Sequence, residues 1–505
     1  MLEPCSIDSS GRNNYLFSPN DNTILLVHPI LSEIFKLYEK NGLSYIDKWY
    51  RSLSPSGFKL INGNNFSKKT ILYYVKFFNI LLNNGFFNEK QTKNNVSGRY
   101  THEDIRYNLT NTKQITFELT EKCNLKCTYC AYLELYADYD PRDGKELDID
   151  YAKNLIEYIF DLKKRNNLLN KQEKIILTFY GGEPLLKIDL IKKIIEYIEN
   201  NIGSKYFSYG MTTNATLLNK YVDYLDEKKF KLLISLDGNF EQNQHRIFHN
   251  NRPAFNKIIQ NIYSLRNKYP DFYDRIRFNA VLNNNSTVLE VYDFFKHLGK
   301  IPKISEISQS GVNKIHQDEL LSIYKSKNDD LNKNKDLNYK NSLSFEFPKT
   351  KLLAHVLQKF TNNNYDHYFD IFQNKNNKEY VPTGTCIPFS KRVFITASGK
   401  IFPCEKIGHH YSLGKVNKTG VELNFDSVAE KYNRYFDKQS LQCKSCYNNY
   451  GCLQCMYISD IENNESGCSN YTDKKAFGDY IAKNIDFLED NPYLYKPIIE
   501  EFVQL

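Results

Sequence analysis

At 505 residues, with 41% hydrophobic and 25% charged residues, the chain is too long for one core and too apolar for wholesale disorder; about three domains are expected. The net charge of +8, from 67 Lys and Arg against 59 Asp and Glu, contains no basic run of the kind that binds nucleic acid. Eleven cysteines, with one at Cys5, three within 123–130 and seven within 386–468, are too unevenly placed in too long a chain for a secreted disulfide scaffold. They point to a metalloprotein.

The first residues lack a basic segment followed by an apolar run, and TILLVHPIL is broken by His28 and Pro29. Neither a secretory signal nor a membrane span is expected, which makes the cytoplasm, with its reduced thiols, the default compartment. Residues 1–108 read as a small α/β module: strands at NYLFS and TILLV, a helix at ILSEIFKLYEKNG, and a second helix through VKFFNILLNNGFF closed by Gly85.

From about Gln114 to Gln309, short β-rich runs alternate with helical patterns. The strands are QITFEL, KIILTFY, YFSYGM, KLLISL, RIRFNAVL and KISEISQ; the helices between them repeat apolar residues every three or four positions. That alternation predicts parallel strands with right-handed helical crossovers, and six units make a partial (β/α)6 barrel of the TIM type rather than a closed eight-stranded one. The active face belongs at the C-terminal strand edge. An Asn/Lys-rich connection follows, then a helix near KTKLLAHVLQKF. The hairpin KRVFITASGKIFPC turns at Ser398-Gly399.

Directly after the first barrel strand, TEKCNLKCTYC sets Cys123, Cys127 and Cys130 within eight residues. Three thiolates supply three corners of a 4Fe–4S cube, which usually takes four. With no fourth cysteine nearby, one iron stays open to a non-protein ligand. Zinc wants a closed set of four, which this loop does not offer.

This CxxxCxxC loop resembles that of the radical S-adenosylmethionine superfamily. The resemblance implies that the open iron is chelated by the amino and carboxylate groups of S-adenosylmethionine. It also implies that Tyr129 packs on the adenine. After the second strand, Gly181-Gly182-Glu183-Pro184 is similar to the family's GGEP motif. The glycines admit a close backbone approach, Glu183 offers an acceptor to the methionine ammonium, and Pro184 suits the next helical turn. Thr212-Thr213-Asn214 and Ser235-Leu236-Asp237-Gly238 end the next two strands and resemble positions lining the ribose and methionine carboxylate. Of these, Thr213, Asn214, Ser235 and Asp237 are the candidate contacts. Arg246 is carried over as a carboxylate partner; the preceding Asn243-Gln244 departs from the His-Asp pair of many relatives.

The later cysteines, Cys386, Cys404, Cys443, Cys446, Cys452, Cys455 and Cys468, resemble the SPASM extension of radical enzymes that act on peptides. By that resemblance Cys443, Cys446, Cys452 and Cys468 hold one auxiliary 4Fe–4S cluster, and Cys386, Cys404 and Cys455 a second lacking a fourth cysteine. The gap between Cys452 and Cys455 is two residues where three is usual. A zinc ribbon is the competing reading of the CxxC pairs.

The domains expected are then 1–108, a winged-helix-like module that captures a leader peptide; 109–310, the radical domain; 311–385, a bridging region; and 386–505, the auxiliary-cluster domain. The function implied is maturation of a ribosomally made precursor peptide. The cofactor supplies a 5′-deoxyadenosyl radical that abstracts a hydrogen atom, and an intramolecular thioether or carbon–carbon cross-link follows. A donor such as flavodoxin or ferredoxin supplies the electron; no nucleic acid or membrane partner is expected. The alternatives are a formylglycine-forming sulfatase-type maturase, a peptide epimerase, or a peptide-binding partner with structural clusters. Cys5 is expected to be incidental.

Overall fold

The computed structural model describes residues 2–9, 13–19, 23–60, 63–87, 100–169, 174–333, 353–354, 356–357, 387–449, 452, 454–459, 467–468 and 470–498. Most of the helix expected near 349–360, and Cys386, lie outside the described residues.

Six parallel strands occupy the centre in chain order: β6 (Gln114–Glu118), β7 (Ile175–Tyr180), β8 (Phe207–Thr213), β9 (Lys231–Ser235), β10 (Arg277–Leu282) and β11 (Pro302–Glu306). Their ladders run in parallel register, with Phe117 opposite Phe179 and Phe179 opposite Met211. β6 is buried on both faces, so Thr116 and Glu118 are enclosed along with Ile115 and Phe117. Phe117, Phe179 and Phe230 form a line of fully buried rings spaced 6.4 and 6.0 Å apart. Each contributes about 1.5–3 kcal/mol by leaving water.

The crossover helices follow from sequence. The helix Ile149–Arg165 turns Ala152, Leu155, Ile156 and Ile159 onto the sheet. Its N-cap Asp148 accepts from the Asp150 N–H, and Lys163, Lys164 and Arg165 sit at its C-terminal dipole. The helix Val288–His297 opens with a Thr287/Glu290 capping box.

Beyond β6 the same sheet continues. Strand β12 (Arg392–Ile395) pairs parallel with β6, and the expected hairpin turns at Gly399 (φ +87°) into antiparallel β13 (Lys400–Phe402). β14 (Gly414–Asn417) and β15 (Gly420–Glu422) complete ten strands. The long helix Phe425–Cys443 follows and delivers Cys443 at its last residue.

The N-terminal module has an antiparallel sheet, β1 (Cys5–Asp8), β2 (Asn14–Ser18) and β3 (Thr23–Val27), with three helices over 29–41, 43–52 and 68–83. A two-residue hairpin, β4 (Phe58–Lys59) with β5 (Asn65–Phe66), separates the last two. Phe35, Phe78 and Phe87 stack at 4.9–5.1 Å in its core. The module docks on the helix Lys474–Asp490: Phe17 meets Phe477 at 4.7 Å, and Glu489 receives Ser9 and Asn13 at 2.9 and 2.8 Å. Tyr447, next to Cys446, donates to the Glu3 carbonyl (2.8 Å) and accepts from its N–H (2.9 Å). Among the described residues no helix is long and apolar enough to cross a membrane.

Candidate functional site

The cysteine loop leaves the C-terminal end of β6. Cys123, Cys127 and Cys130 are half-buried, and burial pushes the Cys127 thiol up to about 12 and that of Cys123 to about 11. Uncomplexed, these groups stay protonated at neutral pH; a bound metal is what makes them thiolates. The three thiols lie close enough that Cys127 feels the charge of both others. Among the described residues no three His, Cys, Asp or Glu side chains close on one point as a single metal ion requires. Three thiols on one loop are the donor set that the 4Fe–4S expectation requires.

Three layers of contact hold the loop. Gly182 and Glu183 donate their N–H groups to the carbonyls of Thr120 and Lys122 at 2.8 and 3.0 Å. A Cβ on Gly182 would fall 2.1 Å from the Lys122 oxygen, and one on Gly181 (φ +136°) 2.5 Å from that of Thr120. The close approach these glycines permit is therefore to the chain's own cluster loop. Pro184 begins a helical turn capped by Glu183. The Glu183 carboxylate, 1% exposed, accepts from Thr213 Oγ1 at 2.7 Å and from the Asn214 N–H at 2.8 Å. Burial pushes it up to about 7 against the pull of those donors. Asn214 in turn donates to Asn124 Oδ1 (2.9 Å) and approaches Cys123 Sγ (3.8 Å).

On the other flank, residues 245–248 pair with the loop: Lys126 and Thr128 donate to the carbonyls of Ile247 and His245. This brings Tyr129, Asp237 and Arg246 together. Asp237 is fully buried; Arg246 reaches it through Nε (3.0 Å) and Nη2 (2.9 Å), Val281 donates to Oδ1 at 2.9 Å, and the Tyr129 hydroxyl donates to Oδ2. Three residues read from sequence as separate cofactor contacts thus form one charge-neutral network behind Cys127. Ser235 ends β9 opposite Asn279. The Asn243 amide oxygen accepts from the Asp237 N–H at 3.1 Å, so the position that departs from the family pattern supports the same network.

Several residues near the loop were not singled out from sequence. His249 Nε2 lies 2.8 Å from the Cys123 carbonyl, and His245 bridges Thr128 (2.7 Å) and Asn284 (2.8 Å). Arg142 pairs with buried Glu118 at 2.5 Å and lies 3.7 Å over the Tyr132 ring. A bare His or Arg in a loop gives no pattern by which to find it.

Residues 131–142 form a strap across the sheet's open side. Ala137 donates to the Gly311 carbonyl (2.8 Å) and Tyr136 to that of Ser308 (2.7 Å), beyond β11. The Asp138 carbonyl accepts from His409 (2.8 Å), and Asp140 meets Lys400 (2.7 Å) on the hairpin side. Lys303 of β11 is held below the usual lysine range by the charge of Lys406, which follows β13, and by burial.

The second cysteine group is part of this assembly. Cys443, Cys446, Cys452 and Cys468 line one small cavity. Cys404 approaches Glu405 at 3.6 Å, and Glu405 is paired with Arg392 at 2.8 Å. Cys455 packs at the edge of the main core, and Cys5 is buried in β1, far from both groups in sequence.

The parallel α/β sheet whose first strand feeds the three-cysteine loop carries a radical SAM domain, which supports an iron–sulfur radical enzyme. Residues 117–298 match the family model described as the radical SAM superfamily, a fold that implies S-adenosylmethionine and one 4Fe–4S cluster. An uncharacterized protein of Methanocaldococcus jannaschii, MJ0907, is 33% identical over 187 residues, 37% of this chain and 58% of that one. The radical SAM cyclopropyl synthase TigE of Paramaledivibacter caminithermalis is 25% identical over 222 residues, 41% and 42% of the two chains. The chain thus spans about half the length of these relatives. A serine-type anaerobic sulfatase-maturating enzyme and GTP 3′,8-cyclases also match. Among solved structures, native anSMEcpe with bound AdoMet and Kp18Cys peptide aligns over 77% of this chain and 99% of that chain, with a TM-score of 0.49 and 19% identity.

Proposed function

We propose that the protein is a radical maturase that forms an intramolecular cross-link, thioether or carbon–carbon, in a ribosomally made precursor peptide. The observation that carries this reading is the convergence of Cys443, Cys446, Cys452 and Cys468 on one cavity, in a segment joined by β12–β15 to the radical domain's own sheet. The set is that of the peptide-modifying extension, and Cys386, Cys404 and Cys455 are assigned to a second auxiliary cluster. A sheet closed into a partial barrel is part of the same reading, supported by the strap that ties the β11 side to the β12–β13 hairpin.

Bound together, the cluster at Cys123, Cys127 and Cys130 and S-adenosylmethionine supply the radical that takes a hydrogen atom from the substrate. The chain's own residues position and enclose. Glu183 receives the methionine ammonium, Thr213, Asn214 and Ser235 supply polar contacts to the cofactor, and the Tyr129–Asp237–Arg246 network braces the loop behind Cys127. The strap over 131–142 keeps water from the interior.

Residues 1–108 are assigned to the leader peptide. β3 is the outer strand of the described three-stranded sheet, with Leu26 65% exposed. The neighbouring helix over 68–83 exposes Tyr73, Phe77 and Ile80, and His28 after β3 stacks on Tyr74 at 4.3 Å. An edge strand beside an apolar helix face suits strand addition by an extended peptide.

Anaerobically reconstituted protein should cleave S-adenosylmethionine when reduced, and Cys127→Ala should abolish this; cleavage that survives the substitution removes the assignment. Iron and sulfide for three clusters are expected, against zinc for the ribbon reading. Mass spectrometry of a peptide encoded by a neighbouring short reading frame, after co-expression, decides the reaction. Loss of two hydrogens marks a cross-link, an unchanged mass epimerisation, and an aldehyde the formylglycine reaction.

A further inference from the structure

We propose that the cavity shared by Cys443, Cys446, Cys452 and Cys468 raises the reduction potential of the cluster assigned there, with Gln439 and Ser459 as the side chains that set it. The proposal rests on the reading that these four cysteines hold one 4Fe–4S cluster, and it concerns what surrounds that cluster.

Each of the four sulfurs faces a neutral hydrogen-bond donor. The Thr472 N–H points at Cys446 Sγ at 3.4 Å, and the Gln454 N–H at Cys452 Sγ at 3.4 Å. The Ser459 hydroxyl lies 3.6 Å from Cys468 Sγ, and the Gln439 side chain donates to Cys443. Gln439 stands four residues before Cys443 on the helix Phe425–Cys443, which puts both side chains on one face. Gln439 is 6% and Ser459 3% exposed, so neither competes with bulk water for the sulfurs. Asn449, Gln454 and Asn470 extend the polar wall, and among the described residues no Asp, Glu, Lys or Arg side chain lines the cavity. The contrast is with Cys127, which sits beside the charged Arg246 and Asp237.

Reduction adds one electron to a cluster already carrying the charge of its thiolates. Donors aimed at sulfur stabilise that added charge, so they favour the reduced form and move the potential upward. Among the described residues of the cavity wall, hydrogen bonds are the adjustable quantity. Two of the four come from backbone N–H groups and serve to hold the loop in any case. Gln439 and Ser459 are the two that substitution removes without touching the backbone. Both are positioning residues, acting through Cys443 and Cys468.

The test uses the full chain, anaerobically reconstituted, with Cys123, Cys127, Cys130 and Cys404 replaced by Ala so that one cluster remains to report. Iron and sulfide are measured first; a background protein that retains no cluster at this set overturns the cluster assignment itself, before any titration. With the cluster present, an EPR-monitored redox titration should show a lower midpoint for Ser459→Ala and for Gln439→Leu, and a larger drop for the double variant, at unchanged iron content. Midpoints equal to the background protein's at full iron content overturn the proposal. So does loss of iron with an unmoved midpoint in the clusters that remain, which would make both residues a mere cage.

Discussion

Replacing Glu183 by Gln separates its place in the fold from its proposed place at the cofactor. The carboxyl is 1% exposed, and burial lifts it to about 7 although Asn214, Thr213 and Leu185 all donate to it. In the free protein it is therefore about half protonated at neutral pH. The methionine ammonium favours the ionised form, so cofactor binding competes with a proton. One pH unit below that midpoint the ionised fraction falls about tenfold, equivalent to about 1.4 kcal/mol. Equilibrium dialysis with S-adenosylmethionine should show affinity about tenfold weaker at pH 6 than at pH 8. In Glu183→Gln that added slope should vanish, leaving only the ligand's own titration. Affinity at pH 8 should drop by about 10- to 100-fold, as loss of a hydrogen bond to a charged group predicts. Folding responds with the opposite sign. A carboxyl raised in the folded state contributes stability that is complete below its ordinary value of 4.5 and is lost as pH rises through 7. The native protein should thus lose more stability than the variant between pH 5 and 8. Equal binding slopes in the two proteins across pH 6–8 would refute the role.

Arg246→Ala strands Asp237 as a buried, uncompensated charge. Local opening at the Val281 amide, read by hydrogen exchange, should become easier by about 3–5 kcal/mol; a change below about 1 kcal/mol contradicts the network. Gly182→Ala drives a Cβ into the Lys122 backbone, and the expected result is loss of the radical-site iron with the auxiliary clusters retained. Retention of all iron would show that the loop can shift. Tyr447→Phe removes both hydrogen bonds to Glu3. Protection of β1 amides should fall by about 1–2 kcal/mol, and unchanged exchange would show that Phe17 and Phe477 alone dock the module.

The central strands were legible because short runs with buried apolar residues, such as IILTFY and KLLIS, alternate with helical periods. The hairpin was legible because Gly399 needs a positive φ. Smaller elements escaped: β4 and β5 are two residues each, and the helix Pro270–Arg275 is too short to show a period. Pairing at long range was also hidden. Nothing local tells Arg392–Ile395 that its partner is Gln114–Glu118, nearly 280 residues earlier. Site residues were legible as a set and not as an arrangement. Asp237 and Arg246 both carry polar groups fit for a cofactor, and their mutual neutralisation exists only in three dimensions.

That arrangement bears on how the two cysteine regions work together. β12 is bonded directly to β6, the strand that carries the three-cysteine loop, while the strap after Cys130 is tied to both the β11 side and the hairpin that ends in Cys404. The radical loop and the hairpin that ends in Cys404 therefore share one sheet, and the helix that delivers Cys443 follows its last strand. The N-terminal module is fastened to the same region at the other end, through Tyr447 beside Cys446. If a leader peptide settles on β3, its remaining length emerges from a module already fixed to the auxiliary site. Substrate positioning then needs no large movement of domains. A single cysteine loss at Cys446 should consequently loosen β1, far from it in sequence, and leave exchange within β7 to β10 unaltered. Equal loosening in both places would show instead that the sheet, and not the Tyr447 contact, carries the connection.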